Sequence, residues 1–174
     1  MPAIAEAAGV ALDTVYASVG KKPMLFRLLV ETAISGTTEA VPALERDYVR
    51  AIAATPRAAD KLALYARAVR SIQSRLAPLA SVLRAAARDD ESLAEMWREI
   101  SERRARNMRL FAKELASTGE LRSDLEIEEI ADVIWSTNGP EYYTLLVQER
   151  GWSPDRFESW LADAWRRMLV ERPV

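Results

Sequence analysis

Apolar side chains recur at spacings of three and four residues along almost the whole chain, and this spacing is what most restricts its fold. The clearest example follows Ser153, where one helical face carries Phe157, Trp160, Leu161, Ala164, Trp165, Met168 and Leu169. A period of 3.6 residues places such side chains on one side of an α-helix. No segment alternates between apolar and polar residues as a half-buried strand does. The sequence therefore predicts an all-α fold.

Short polar residues and glycine set the expected helix ends. Ser153 is a suitable N-cap for the last helix, and Pro154 suits its first turn because the N–H group that proline lacks has no helical partner there. Asp89 and Asp90 begin an earlier long helix, which is expected to end near Gly119, a residue that readily adopts the left-handed conformation.

Two prolines are expected to interrupt helical segments. Pro78 is predicted to end the helix that opens at Thr55 and to separate it from a short helix reaching Arg88. Pro140 lies within the segment 127–149, where it removes a hydrogen bond to the carbonyl of Ser136 and is expected to kink the helix.

The composition excludes several classes of protein. With no cysteine and no histidine, the chain has no disulfide, no thiol nucleophile and no imidazole base or zinc ligand, and we assign no catalytic residue, metal or cofactor. Carboxylates at Glu128, Glu129 and Asp132 have helix-surface spacing without a base partner, so an enzyme is only the third possibility.

The charge and hydropathy patterns bear on location and partners. The formal net charge is −2, so no global positive field attracts the chain to nucleic acid or to an anionic membrane. No apolar run approaches the roughly 18 residues of a spanning helix. The first residues, Met1 to Ala3, lack the pattern of a signal peptide. We expect a cytoplasmic protein with no membrane partner.

Two short helical segments joined by a glycine open the chain. The first begins at Ile4 and ends at Gly9, and the second covers residues 12–18. Gly9 turns the chain and Val10 fills the angle between the two helices, which is the spacing of a helix-turn-helix. The same pattern also describes two ordinary core helices joined by a tight turn.

The residues that follow make a helix-turn-helix more specific. Residues 3 to about 31 contain Ile4-Ala5-x-x-Ala8-Gly9-Val10, Thr14-Val15-Tyr16 and Val19-Gly20-Lys21-Lys22-Pro23-x-Leu25-Phe26. In this order they resemble the DNA-binding segment of TetR-family transcriptional regulators. The later helices are similar to the ligand-binding and dimerisation domain of that family in length and order. The resemblance implies a helix-turn-helix unit over residues 1–35 and a helical ligand-binding and dimerisation domain over residues 36–174.

By this resemblance, the second short helix is the recognition helix. The residues implied to face base edges are Leu12, Asp13, Ala17 and Ser18. Those implied to contact phosphates are Thr14, Tyr16 and Lys22. Hydroxyl, phenol and ammonium groups near helix N-termini suit phosphate oxygens, and such contacts position a protein without discriminating between sequences. Taken alone, Tyr16 also suits a packing aromatic, and Lys21 with Lys22 suits a solvated turn.

The family places one more helix before the first one present here. We therefore expect an incomplete DNA-binding unit, explained by an amino-terminal truncation or a late-assigned start codon. Residues 1–40 carry three basic and four acidic side chains, a net charge of −1, from Lys21, Lys22, Arg27, Glu6, Asp13, Glu31 and Glu39. Because duplex DNA is densely negative, we expect binding to a double-stranded palindromic operator only in a full-length form.

Aromatic and polar residues near Pro140 and on the preceding long helix predict a small-molecule site. They are Trp97, Arg104, Asn107, Met108, Phe111, Trp135, Asn138 and Tyr142. If the two faces meet, they enclose an aromatic pocket with a few polar anchors, suited to a small hydrophobic or aromatic effector. The same residues also describe a plain core, and the family resemblance favours the ligand. The arginines between residues 103 and 109 suit a solvated face.

The last two long helices carry more apolar surface than one small body is expected to cover. The predicted dimer interface comprises Ile130, Val133, Leu145, Leu146, Phe157, Trp160, Leu161, Ala164, Trp165 and Met168. Pairing with a second copy as a four-helix bundle would bury it, as TetR-like regulators do. A monomer in which this stripe closes the domain's own core is the other possibility.

Together these patterns favour a homodimeric, ligand-responsive transcriptional regulator, expected to be a repressor. The alternative is a helical small-molecule-binding or interaction protein without DNA-binding activity, which the acidic amino-terminal unit supports.

Overall fold

A computed structural model of the chain describes residues 1–37, 41–42 and 45–171; Glu39 and the side chain of Lys22 lie outside the described residues. The predicted all-α fold is confirmed. The helices are α1 (Pro2–Ala8), α2 (Leu12–Val19), α3 (Lys22–Ser35), α4 (Asp47–Ala54), α5 (Ala58–Ala86), α6 (Glu91–Ala116), α7 (Ile127–Thr137), α8 (Pro140–Tyr143) and α9 (Pro154–Leu169). A π-helical segment, Thr144–Glu149, continues α8.

Local sequence signals place several helix ends correctly. The Ser153 side chain accepts a hydrogen bond from the Arg156 backbone N–H (3.1 Å) and Pro154 is the first residue of α9, as predicted. Asp90 caps α6 by accepting from the N–H of Ser92 (2.9 Å). These caps satisfy N–H groups that have no partner within the helix.

The prediction that Pro78 ends a helix is wrong. The helix α5 runs without interruption through Pro78, which is exposed to solvent. Proline removes one helical hydrogen bond, but Ala77, Ala80 and Leu83 on the adjoining turns are buried and hold α5 against the body. Tertiary packing outweighs the local preference here.

The interruption predicted at Pro140 is present, and it is a complete break rather than a kink. Helix α7 ends at Thr137, Gly139 is extended (φ −71°, ψ 164°), and Pro140 is the first residue of α8. Pro140 at that position loses no helical hydrogen bond, because the first N–H groups of a helix have no intrahelical acceptor.

The body is built around α5, which packs along α9 and α3, while α6 packs along α7. Tyr65 lies in the middle of this arrangement, stacked on Trp165 (ring centroids 5.5 Å apart) and against Phe111 (4.7 Å). The fully buried residues around it include Leu62, Leu115, Ile134, Phe157, Leu161 and Leu169. No helix in the described ranges combines the length and apolar character needed to cross a bilayer.

The amino-terminal helices join the body through α3. Gly9 has a left-handed conformation (φ 67°) between α1 and α2, and Ala5 and Val15 are buried where these helices meet. Two ion pairs connect α3 with α6: Arg27 with Glu99 and Glu31 with Arg103, each 2.7 Å. The helix that follows α2 is therefore held directly on the larger domain.

Candidate functional site

A cavity of about 740 Å³ lies between α3, α4, α5, α6 and the break before α8. Most of its lining is apolar, with aromatic walls from Tyr48, Tyr65, Trp97 and Phe111. Clefts of 300–1,000 Å³, roughly, with apolar walls and a few polar groups are the usual form of small-molecule sites. The cavity is therefore large enough to enclose a ligand of drug-like size.

Six of the eight residues predicted to bind a ligand line this cavity: Trp97, Arg104, Asn107, Met108, Phe111 and Asn138. The other two lie outside its lining. The Arg104 guanidinium lies over the Trp135 ring, with Arg104 Cζ 4.8 Å from the ring centroid. The indole N–H of Trp135 donates to the Ser101 carbonyl oxygen (3.3 Å). Tyr142 is exposed and stacks on Trp160 (5.8 Å).

The opposite wall was not predicted from sequence, because it comes from α3, α4 and α5. Val30 and Ile34 of α3, Val49 of α4 and Gln73 of α5 all line the cavity. Residues 36–55 carry only a weak periodic pattern, so α4 was not assigned as a wall. Gln73 could have been identified from the sequence, because it is a polar residue on the mainly apolar buried face of α5.

Two buried amides form a hydrogen-bonded cluster on the cavity wall. The Gln73 side-chain N–H₂ donates to the Asn138 backbone oxygen (2.7 Å), and the Asn138 side-chain N–H₂ donates to the Tyr65 hydroxyl oxygen (2.9 Å) and Met108 Sδ (3.0 Å). Gln73 is 4% exposed and Asn138 3%. Burial raises the pKa of the Tyr65 hydroxyl, which remains protonated and donates to Met108 Sδ (3.3 Å).

Both amides keep one side-chain oxygen without a partner. Gln73 Oε1 and Asn138 Oδ1 are buried and accept no hydrogen bond from the described residues. A buried acceptor that stays unsatisfied lowers the free energy of unfolding by about 1–3 kcal/mol. Both residues line the cavity, so its wall contains two acceptors without a hydrogen-bond partner among the described residues.

Arg104 brings a positive charge to the same part of the wall. Its Nε atom is buried without a hydrogen-bond partner, and the side chain forms no ion pair with a described residue. Glu141 is the carboxylate that acts on it, but Glu141 itself pairs with Arg84 (2.7 Å). Burial lowers the pKa of the Arg104 guanidinium, and the Glu141 charge opposes this change.

A glycine allows the backbone to approach this guanidinium. A Cβ atom placed on Gly139 would lie 2.9 Å from Arg104 Nη1 and would also overlap the Glu141 carboxylate. Arg104 therefore lies against the residue that follows Asn138. The guanidinium without an ion-pair partner is close to the amide cluster.

The other charged side chains of the lining have hydrogen-bond partners, which are oppositely charged side chains in two pairs and a backbone carbonyl for Arg46. Arg103 pairs with Glu31, and Glu114 pairs with the buried Lys61 (2.6 Å). Arg46 donates from Nε to the Val41 carbonyl oxygen (3.2 Å). Among the described residues, Arg104 is the lining arginine whose buried Nε atom has no hydrogen-bond partner.

The predicted DNA-contacting residues lie on the outer surface of α2. Leu12, Asp13, Thr14, Tyr16, Ala17 and Ser18 are all exposed, while Val15 turns inward and is buried. The Ser18 hydroxyl donates to the Thr14 carbonyl oxygen (2.8 Å). Lys22 begins α3, and its side chain is outside the described residues. The face of α2 that the resemblance assigns to DNA is therefore exposed to solvent in the described part of the chain.

The structure divides the predicted dimer interface into two sets. Ile130, Phe157, Leu161 and Trp165 are buried in the chain's own core, so no second copy is needed to cover them. The outward set lies on the π-helical segment and neighbouring helices, where Leu145 and Met168 are exposed and Val133, Leu146, Trp160 and Ala164 are half-buried. Only this second set is available to another molecule.

One of the three carboxylates considered for catalysis, Glu129, caps a helix. The Glu129 side chain accepts a hydrogen bond from the Glu126 N–H (2.9 Å) and closes a capping box at the start of α7. In the described part of the chain, no group of three or more acidic side chains is arranged to hold a metal ion.

No protein-family model, curated protein or solved structure matched this chain when it was compared with them.

Proposed function

We propose that the protein is a TetR-like, ligand-responsive transcriptional repressor that binds palindromic DNA as a homodimer and responds to a small organic effector. The observation that carries the proposal is the shared position of α3. This helix follows α2 after a short turn, and its residues Val30, Glu31 and Ile34 line the cavity. A ligand that contacts α3 therefore contacts the helix that joins α2 to the rest of the body.

The exposed face of α2 supports a role in DNA binding. A recognition helix needs an uncovered face that can enter the major groove, and α2 offers Asp13 and Ala17 for base edges and Tyr16 for phosphate. The ion pairs Arg27–Glu99 and Glu31–Arg103 connect α3 with α6, which also lines the cavity. A movement of α6 against α3 would change the position of α2.

The outward apolar set supports association between two copies. Leu145, Trp160 and Met168 lie on the α8–α9 side of the body, away from the cavity lining. Two-fold pairing of this surface would present two α2 helices, which matches the symmetry of a palindromic site.

A selection experiment tests the DNA-binding part of the proposal. The purified protein in its full-length form is incubated with a random duplex library, and bound sequences are recovered and titrated by fluorescence anisotropy at several salt concentrations. A palindromic preference with salt-dependent affinity is expected. Tyr16→Phe should weaken binding to all sequences alike, and Asp13→Asn should change the preferred sequence. Ser74→Ala, which removes a hydroxyl from an exposed position of α5, serves as the control.

A second function, ligand binding without DNA, has its own support. Arg27 is engaged by Glu99, and the sequence of residues 1–22 has two lysines, Lys21 and Lys22, against Glu6 and Asp13. A surface of balanced charge provides little of the electrostatic attraction on which DNA binding depends. Saturable ligand binding together with no recovered DNA sequence would establish this second function.

A further inference from the structure

We infer that the cavity takes an apolar organic acid whose carboxylate pairs with Arg104 and whose adjacent hydroxyl or amide N–H donates to Gln73 or Asn138. This inference rests on the ligand-binding part of the proposed function and specifies its chemistry. The ligand is a single-headed amphiphile with one anionic end, a neighbouring hydrogen-bond donor and an apolar body.

The anionic end of the ligand is inferred from the charge of Arg104, which has no ion-pair partner among the described residues. A guanidinium keeps its charge in proteins, and a partly buried charge without a partner is unfavourable. Its carboxylate neighbour Glu141 is engaged by Arg84, and Arg103 is engaged by Glu31. The planar guanidinium matches a carboxylate through two parallel hydrogen bonds, which gives both strength and orientation.

The adjacent donor follows from the two unpaired amide oxygens. Gln73 Oε1 and Asn138 Oδ1 are acceptors, so a carboxylate does not satisfy them and a hydroxyl or amide N–H does. The Gln73 side chain has a fixed orientation, since its N–H₂ group donates to the Asn138 carbonyl oxygen. The residue after Asn138 lies against the Arg104 guanidinium, so the donor belongs on the ligand close to its carboxylate.

The apolar body follows from the remaining walls. Val30, Val69, Leu83 and Phe111 come from α3, α5 and α6 and offer no unpaired polar group to a ligand. Burying apolar surface against them contributes about 25 cal/mol per Å². A ten-carbon chain is small enough for the cavity volume and flexible enough to follow its shape.

Four probes with the same ten-carbon body separate these elements: decanoate, decan-1-ol, decylamine and 2-hydroxydecanoate. Binding to the full chain is measured by isothermal titration calorimetry at neutral pH. Decanoate should bind about tenfold or more tightly than decan-1-ol, because only the carboxylate forms charge-assisted hydrogen bonds. Decylamine should bind most weakly, and 2-hydroxydecanoate should bind more tightly than decanoate by a few-fold, roughly.

Variants assign the head group to Arg104. Arg104→Met keeps an unbranched apolar stem and removes the charge, so decanoate should lose about tenfold in affinity while decan-1-ol keeps its own. Arg104→Lys should retain part of the preference. Arg106→Met replaces an exposed arginine two residues further along α6 and should leave all affinities unchanged. Gln73→Leu should reduce the advantage of 2-hydroxydecanoate, and the wild-type comparison decides this point if that variant does not fold.

The outcomes distinguish the inference from the proposed function. If decanoate and decan-1-ol bind equally well, or Arg104→Met leaves decanoate binding unchanged, the anion-binding inference is wrong while the ligand cavity stands. If none of the four probes binds, both the inference and the ligand-responsive part of the function are overturned. The DNA selection is independent of both results.

Discussion

The Gln73 side-chain amide of α5 donates a hydrogen bond of 2.7 Å to the backbone carbonyl oxygen of Asn138, at the break between α7 and α8. The break leaves this carbonyl buried and outside any helical hydrogen-bond ladder, so it needs a partner from elsewhere. A polar residue on the buried face of α5 is thereby explained by a backbone group distant in the sequence.

Replacing Gln73 with leucine should therefore destabilise the fold. The Asn138 carbonyl oxygen would remain buried without a donor, which costs about 1–3 kcal/mol, and removal of the unpaired Gln73 Oε1 offsets part of this loss. Urea denaturation followed by circular dichroism measures this change. Ser74→Ala, at the exposed neighbouring position, should stay within about 0.5 kcal/mol of the wild type. An unchanged midpoint for Gln73→Leu would show that the carbonyl finds another donor.

The buried Lys61 should be a second point of sensitivity. Lys61 is 3% exposed, and its ammonium group donates to the Ile52 carbonyl oxygen (2.7 Å) and to Glu114 (2.6 Å). Lys61→Met removes both bonds, but Glu114 is partly exposed and can regain water, so we expect a loss of about 1–3 kcal/mol. Lys113→Met changes an exposed lysine beside Glu114 and should have little effect in the same urea titration. Equal midpoints for the two variants would contradict a stabilising role of the Lys61 contacts.

Pro78 offers a substitution that should stabilise the protein. It occupies an exposed position inside α5, where it removes the hydrogen bond to the Ser74 carbonyl oxygen. Pro78→Ala restores this bond and should raise the free energy of unfolding by about 1–3 kcal/mol, after part of the gain is offset by a more flexible unfolded chain. Pro154→Ala is the matched control, because proline at the first position of α9 disrupts no helical bond. A stabilisation of equal size in both variants would attribute the effect to something other than the helix interior.

Helix ends set by neighbouring residues were predictable from the sequence. The caps at Ser153 and Asp90 and the break at Pro140 depend on local backbone chemistry, and the structure has all three. The continuity of α5 through Pro78 was not predictable, because it depends on residues of other helices that bury the adjoining turns.

The candidate cavity was predicted in part for the same reason. Residues of α6 and the Pro140 region share recognisable helical faces, so Met108 and Asn138 were found, whereas the α3 and α4 walls depend on how distant segments pack. The stripe of α9 shows the limit of periodicity: Leu161 and Trp165 enter the core, and Trp160 lies beside them at the surface. The spacing of apolar residues along one helix does not distinguish positions that face the core from adjacent positions at the surface.

The outward apolar surface of α8 and α9 gives the last prediction. Leu145 is 50% exposed on the π-helical segment, and the stacked pair Tyr142–Trp160 lies on the same side of the body. If two copies pair there, Leu145→Glu should place an unpaired carboxylate in an apolar interface and shift a micromolar dimer to monomer, without unfolding the chain. Sedimentation equilibrium measures the mass, and Val82→Glu, at an exposed position of α5, should leave the dimer intact. A wild-type chain that remains monomeric at high concentration, or a Leu145→Glu variant that remains dimeric, would exclude this surface as the interface between copies.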